Sequence, residues 1–126
     1  MGTHMPKKIL LVDDAQIVQM TLKALWNRQF GDEIQVISAV SAEEALEQFA
    51  LHSDIALIVM DAQLKKGSDG PDTLELVKEL RRTFTGPIVA NSMNERYNKA
   101  LVDAGCDSIS DDKYDLRSAF MKIGLF

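Results

Sequence analysis

Three carboxylates in this chain each follow an apolar run. Asp13 and Asp14 come after Ile9-Leu10-Leu11-Val12, and Asp61 comes after Ile55-Ala56-Leu57-Ile58-Val59-Met60. Continuous apolar runs of this length read as strands buried on both faces of a parallel sheet. The carboxyl ends of such strands open onto the crevice where ligands sit in open α/β folds. Three acids gathered there repel one another. The arrangement persists when a hard cation such as Mg²⁺ joins them, or when protons are taken up. The chemistry expected is a metal-assisted site that handles an oxyanion, above all phosphate. Asp13-Asp14 alone could be a helix start, where carboxylates are favoured. Asp61 shifts the reading, because its strand is expected to neighbour the first.

Two further groups fall where such a site needs them. Ser92 ends the run Pro87-Ile88-Val89-Ala90-Asn91. Its hydroxyl could cap the next helix or donate to a phosphoryl oxygen on Asp61. Lys113 follows the weak fifth apolar run. An ammonium there would offset part of the negative charge and bind a phosphoryl oxygen as a point charge; elsewhere a lone lysine is merely solvated.

The elements that must position these residues alternate, strand then helix, five times. The strands are expected at Ile9–Val12, Ile34–Val40, Ile55–Met60, Pro87–Asn91 and Ser108–Ser110. Helical stripes run through Ala42, Ala45, Leu46 and Phe49, through Tyr97, Ala100, Leu101 and Ala104, and through Leu116, Ala119, Phe120 and Ile123, each at i, i+3, i+4, i+7 spacing. Ser41-Ala42-Glu43-Glu44 is a capping-box pattern, and Gly105 is a left-handed stop. The first helix, about Ala15 to Phe30, is apolar nearly all round (Ile17, Val18, Met20, Leu22, Leu25), which predicts deep burial. Trp26 and Phe30 are expected on its packing surface, and Met60 and Met121 as core fillers. Alternating β and α of this length implies a parallel sheet with right-handed crossovers and helices on both faces.

Composition bounds the rest. The chain has 126 residues, enough for one domain with a real core. Its net charge of -5 argues against the domain gripping nucleic acid, which needs a basic face. No apolar run approaches a membrane span. The one cysteine, Cys106, excludes an internal disulfide and fits a cytoplasmic protein; it reads as a small packing residue. His52 reads as a surface residue near a helix C-terminus. Met1-Gly2-Thr3-His4 reads as an expression remnant ahead of Met5, leaving one domain over residues 5–126 with no recognisable output module.

With these residues in view, the chain resembles the receiver domains of two-component response regulators from Lys7 to Phe126. The resemblance is carried by Ile9-Leu10-Leu11-Val12-Asp13-Asp14, the Ser41-Ala42-Glu43-Glu44-Ala45-Leu46 helix, Val59-Met60-Asp61, Asp69-Gly70, Pro87-Ile88-Val89 through Ser92, and Ala104-Gly105-Cys106-Asp107. It implies an α/β, doubly wound, flavodoxin-like fold: a five-stranded parallel sheet of order 2-1-3-4-5 with five helices. It also implies that Asp61 accepts a phosphoryl group from a histidine kinase or phosphotransfer protein. By the same resemblance Asp14 and Asp61 are direct Mg²⁺ ligands, Asp13 holds the ion through water, and Gln63 supplies its backbone carbonyl. Ser92 is the hydroxyl that moves toward the phosphoryl group. The signal leaves through the face of the fourth helix, fifth strand and fifth helix toward a downstream protein target or effector domain; a homodimer through that face stays open.

Four features depart from the family. Counting from Gly105 with the family's spacing lands on Asp112, not Lys113, and Tyr114 stands in place of the usual proline. Either the loop carries an extra residue and Lys113 supplies the cation, or the cation is missing; the shift is favoured because an acidic pocket gains so much from a nearby ammonium. The loop Ala62–Gly70 is one residue longer than usual. It carries Lys65 and Lys66, read as a solvated loop against the sharper alternatives of an acidic-partner surface or a substitute cation. Met93 stands where a small residue is common and is expected to narrow access to Asp61. Ile109 occupies the usual place of a rotating aromatic, so aromatic gating is not expected.

The leading function is a Mg²⁺-dependent phosphoacceptor switch with slow self-hydrolysis. The alternative from another class is a pseudo-receiver that binds a partner without phosphorylation. A small phosphatase using Asp61 as nucleophile is a weak third, since Gln63, two residues on, cannot protonate a leaving group.

Overall fold

Each apolar run does become a strand, and the strands pair in parallel. The computed structural model describes residues 5–125, so the reading of residues 1–4 as a remnant lies outside the described residues. In chain order the elements are β1 (Lys7–Val12), α1 (Gln16–Phe30), β2 (Ile34–Ala39), α2 (Ala42–Leu51), β3 (Ile55–Met60), α3 (Leu74–Arg81), β4 (Ile88–Ala90), α4 (Glu95–Ala104), β5 (Ser108–Ile109) and α5 (Arg117–Lys122). The sheet order is β2-β1-β3-β4-β5, with every pairing parallel. This is the doubly wound 2-1-3-4-5 architecture that the resemblance implies.

Successive strand residues face opposite sides of the sheet, so the two layers sort by parity. Leu10, Val12, Ile58, Met60, Ile88 and Ala90 pack with residues of α2, α3 and α4. Ile9, Leu11, Leu57, Val59 and Val89 pack under α1 and α5. There Phe120 receives Trp26 edge-on with ring centroids 5.1 Å apart, and Phe30 at 4.9 Å. Such pairs add about 0.5–1.5 kcal/mol beyond the area they bury.

The ends of the elements follow local chemistry. The Ser41 hydroxyl accepts from the Glu44 N–H at 3.1 Å, and the Glu44 carboxylate accepts from the Val40 N–H at 3.0 Å, a capping box reaching one residue further back. Asn94 caps α4 through the N–H groups of Arg96 and Tyr97. Gly105 ends α4 at φ +140°, and a Cβ there would meet Arg81 Cγ at 2.9 Å and Val77 Cγ1 at 3.2 Å. Both the conformation and the crowding require glycine.

Two expectations of burial and one of strand length are corrected. α1 is not deeply buried all round. It commits Val18, Leu22, Trp26 and Phe30 to the sheet, four residues apart, while Ile17 is 67% and Met20 61% exposed. A helix lying on one face of a two-faced sheet has a single covered side. Met121 is not a core filler but 58% exposed, because α5 points Ala119 and Phe120 inward instead. β5 is shorter than expected, and Ile109 is partly exposed.

Candidate functional site at the carboxyl edge of the sheet

The ladder continues for one bond beyond each central strand. The N–H of Asp13 donates to Ala39 O at 3.0 Å, that of Asp61 to Val12 O at 2.9 Å, that of Asn91 to Met60 O at 2.8 Å and that of Ser110 to Ala90 O at 3.0 Å. The residue after each strand is therefore held in register with its neighbour. This places Asp13 and Asp61 side by side, with Asn91 next in the row. One oxygen from each of Asp13, Asp14 and Asp61 lies within 4.8 Å of the others. The sequence placed these three acids at one sheet edge, and the fold gathers them there.

The carboxylates differ in what engages them. Asp13 is buried. Its Oδ1 accepts from the Ala15 N–H at 2.9 Å and its Oδ2 from the Lys113 ammonium at 2.9 Å. Asp61 accepts from the Ala62 N–H at 2.9 Å and from Lys113 at 3.2 Å, both on Oδ1. Asp14 has neither a hydrogen bond nor an ion pair from the described residues. Burial pushes the Asp61 carboxyl up to about 6; Lys113 opposes that rise and the Asp13 charge adds to it. Hard oxygen donors held this close, one of them unengaged, fit a hard divalent cation such as Mg²⁺.

The cation in the pocket is Lys113, not a fourth acid. Its side chain is nine-tenths buried, and its ammonium also donates to Asn91 O at 2.7 Å. Asp112 is exposed and turns away. Its Oδ1 accepts from the Tyr114 N–H at 2.9 Å, and its backbone closes a small bridge with Asp115 at 3.1–3.2 Å. That local turn absorbs the extra residue.

Ser92 lies on the same cavity, about 340 Å³ in volume, with Asp61, Lys113 and Met93. No hydrogen bond joins it to Asp61. Its hydroxyl accepts from the Asn94 N–H at 3.1 Å, and its backbone pairs with the Asn98 side chain at 2.8 and 2.9 Å. Met93 stands on the cavity rim but is 86% exposed, so most of its surface covers solvent rather than Asp61. Gln63 also lines the cavity, and its side chain braces the following loop by donating to Ser68 O at 3.1 Å and Gly70 O at 2.9 Å. His52 caps the end of α2, away from this edge.

Sequence reading missed four supporting residues. Thr73 is buried and donates to Asp61 O at 2.8 Å, with Ala62 O at 3.2 Å. Asp72 accepts from the N–H groups of Leu64 and Lys65. The Gln19 amide nitrogen ties Leu11 O, Asp13 O and Ala39 O to α1. Asn91 Oδ1 accepts from the Ser110 hydroxyl at 2.8 Å. The only available signal was a polar residue interrupting an apolar stripe, as Gln19 does; the loop partners carried none.

The family model described as the response regulator receiver domain matches residues 9–115. No curated protein sequence matches the chain. Among solved structures, a putative response regulator from Chloroflexus aurantiacus J-10-fl is 24% identical with a TM-score of 0.74, covering 94% of this chain and 95% of that one. A response regulator protein from Burkholderia pseudomallei, crystallised with a phosphorylated aspartic acid, calcium ion and citrate, is 21% identical with a TM-score of 0.73, covering 93% and 66%. A chain from the complex of the phosphorylated P1 domain of CheA3 with CheY6 from R. sphaeroides is 15% identical with a TM-score of 0.66, covering 94% and 97%. At these identities the likeness shows the fold.

Proposed function

Because the chain belongs to the response regulator receiver domains, we propose that it is a Mg²⁺-dependent phosphoacceptor switch modified on Asp61. The observation that carries this reading is the acidic trio within 4.8 Å with an ammonium 3.2 Å from Asp61. Asp14 and Asp61 would hold the ion directly, Asp13 through water, and the Gln63 backbone carbonyl would complete the set. When bound, the ion screens the repulsion between carboxylates and phosphoryl oxygens and offsets charge in the transition state.

The chain's own groups do the rest. An Asp61 carboxylate oxygen attacks the phosphorus of a phosphohistidine on a histidine kinase or phosphotransfer protein. The O–P bond forms as the P–N bond breaks, and the imidazole leaves. Lys113 binds a phosphoryl oxygen as a point charge. The Ser92 hydroxyl leaves the Asn94 N–H and donates to another phosphoryl oxygen, carrying the β4–α4 loop with it. The added charge thereby repositions the face of α4, β5 and α5 that meets a downstream target. No helix among the described residues is long and apolar enough to cross a membrane, in keeping with a cytoplasmic switch.

The test is an amide NMR spectrum recorded with Mg²⁺ and beryllofluoride, which mimics a phosphoryl group on an aspartate. Shifts centred on Asp61 and Ser92, absent in Asp61→Asn, are expected. A silent spectrum would overturn the reading in favour of a pseudo-receiver.

A further inference from the structure

The loop after β3 is built, not slack, and it presents two exposed cations to the cavity. Asp72 accepts from the N–H groups of Leu64 at 2.8 Å and Lys65 at 2.9 Å, and its Oδ2 lies 2.8 Å from the Ser68 hydroxyl. Its own N–H donates to Ala62 O at 2.8 Å. Gln63 braces the other side through Ser68 O and Gly70 O. Gly67 and Gly70 take the positive φ values, +81° and +125°, that the two bends need. The result is a clasp from Ala62 to Asp72 that fixes where Lys65 and Lys66 stand.

Both lysines are exposed and line the same cavity as Asp13, Asp14, Asp61 and Lys113. Among the described residues neither ammonium forms an ion pair. Lys113 is committed to Asp13 and Asp61, so it does little for an anion approaching from solvent. A dianion entering the cavity meets three carboxylates, and charges this close act within one Debye length. Two ammonium groups on the same cavity offset part of that negative field.

We propose that Lys65 and Lys66, held by the Asp72 clasp, recognise free dianionic phosphodonors and steer them toward Asp61. The inference rests on the phosphoacceptor reading of Asp61 for its chemistry. Asp72 acts here as a positioning residue, through the lysines.

Two measurements on the full chain with Mg²⁺ separate this inference from that reading. The first is the rate of Asp61 labelling by acetyl phosphate, followed by intact mass. Lys65→Ala/Lys66→Ala should slow it about five- to tenfold at low ionic strength and less than about twofold at high salt. Lys65→Arg/Lys66→Arg should restore it, Asp72→Asn should slow it in part, and phosphoramidate, with one net negative charge, should be slowed less than acetyl phosphate. The second is NMR titration with acetonylphosphonate, a non-transferable analogue, which should shift the amides of residues 65–68 in the wild type and not in the double alanine variant. Unchanged labelling and salt dependence in the double variant overturn the inference while leaving Asp61 as acceptor. Analogue binding through the lysines without any labelling of the wild type overturns the acceptor reading and the steering with it, and leaves only the anion recognition by Lys65 and Lys66 standing.

Discussion

Lys113 Nζ lies 2.9 Å from Asp13 Oδ2, across 100 residues of chain, and both side chains are almost wholly out of solvent. The same ammonium reaches Asp61 and Asn91 O. The pair therefore ties the loop after β5 to the ends of β1, β3 and β4. A buried ion pair costs desolvation on both sides, and removing one partner strands the other. Here the stranded group would be a carboxylate already facing two more.

Lys113→Met should destabilise the protein by about 3–5 kcal/mol in chelator-treated buffer, the range for breaking a buried pair. The loss should shrink when Mg²⁺ is added, because a divalent cation can take over the neutralisation. For the same reason the variant should bind Mg²⁺ more tightly than the wild type. Urea unfolding with and without Mg²⁺ measures the first effect and fluorescence titration the second; equal losses in both buffers would refute the account.

Thr73 supplies a buried hydroxyl to the backbone carbonyl of Asp61, the acceptor proposed above. Thr73→Val keeps the volume but leaves the Asp61 and Ala62 carbonyls without that donor. A destabilisation of about 1–3 kcal/mol is expected, with Thr73→Ser recovering part of it. Thermal unfolding of the three proteins checks the order wild type, then serine, then valine.

The sheet and the acidic trio were legible because both depend on simple periodicity. Five apolar runs separated by helical stripes leave one topology class, and the acids directly follow two of those runs. Lys113 was legible only as a choice, since which of two adjacent residues turns inward depends on the Asp112–Asp115 turn, which no pattern announces. The exposure of Ile17, Met20 and Met121 was not legible, because an apolar residue carries no mark of which helix face meets the sheet. Thr73 and Asp72 were not legible for a related reason. Their partners are backbone groups, and backbone groups have no sequence.

Cys106 is buried against Val77, Leu80, Leu101 and their neighbours. Burial pushes its thiol up to about 12, with Arg81 opposing and Asp107 adding. The thiolate is the reactive species, so at pH 8 the native thiol should be almost inert. Iodoacetamide should modify it only at the rate of unfolding, and denaturant should make labelling fast. Rapid native labelling would contradict the packing described.

Asp61 carries a pH dependence of the opposite sense to an ordinary paired carboxylate. Its folded-state value is raised from 3.8 to about 6, so the folded protein holds this proton more tightly than the unfolded chain does. Ionisation therefore weakens the fold progressively as pH rises from about 4 to about 6, and the full penalty persists above that window. An asparagine side chain at this position has no charge to desolvate. Without Mg²⁺, Asp61→Asn should be more stable than the wild type at pH 8 by on the order of 3 kcal/mol. That gain should disappear toward pH 4, where both proteins are neutral at this position. Unfolding midpoints measured across this range in chelator decide the matter: a gain that grows as pH falls would mean that Lys113, not burial, dominates the Asp61 environment.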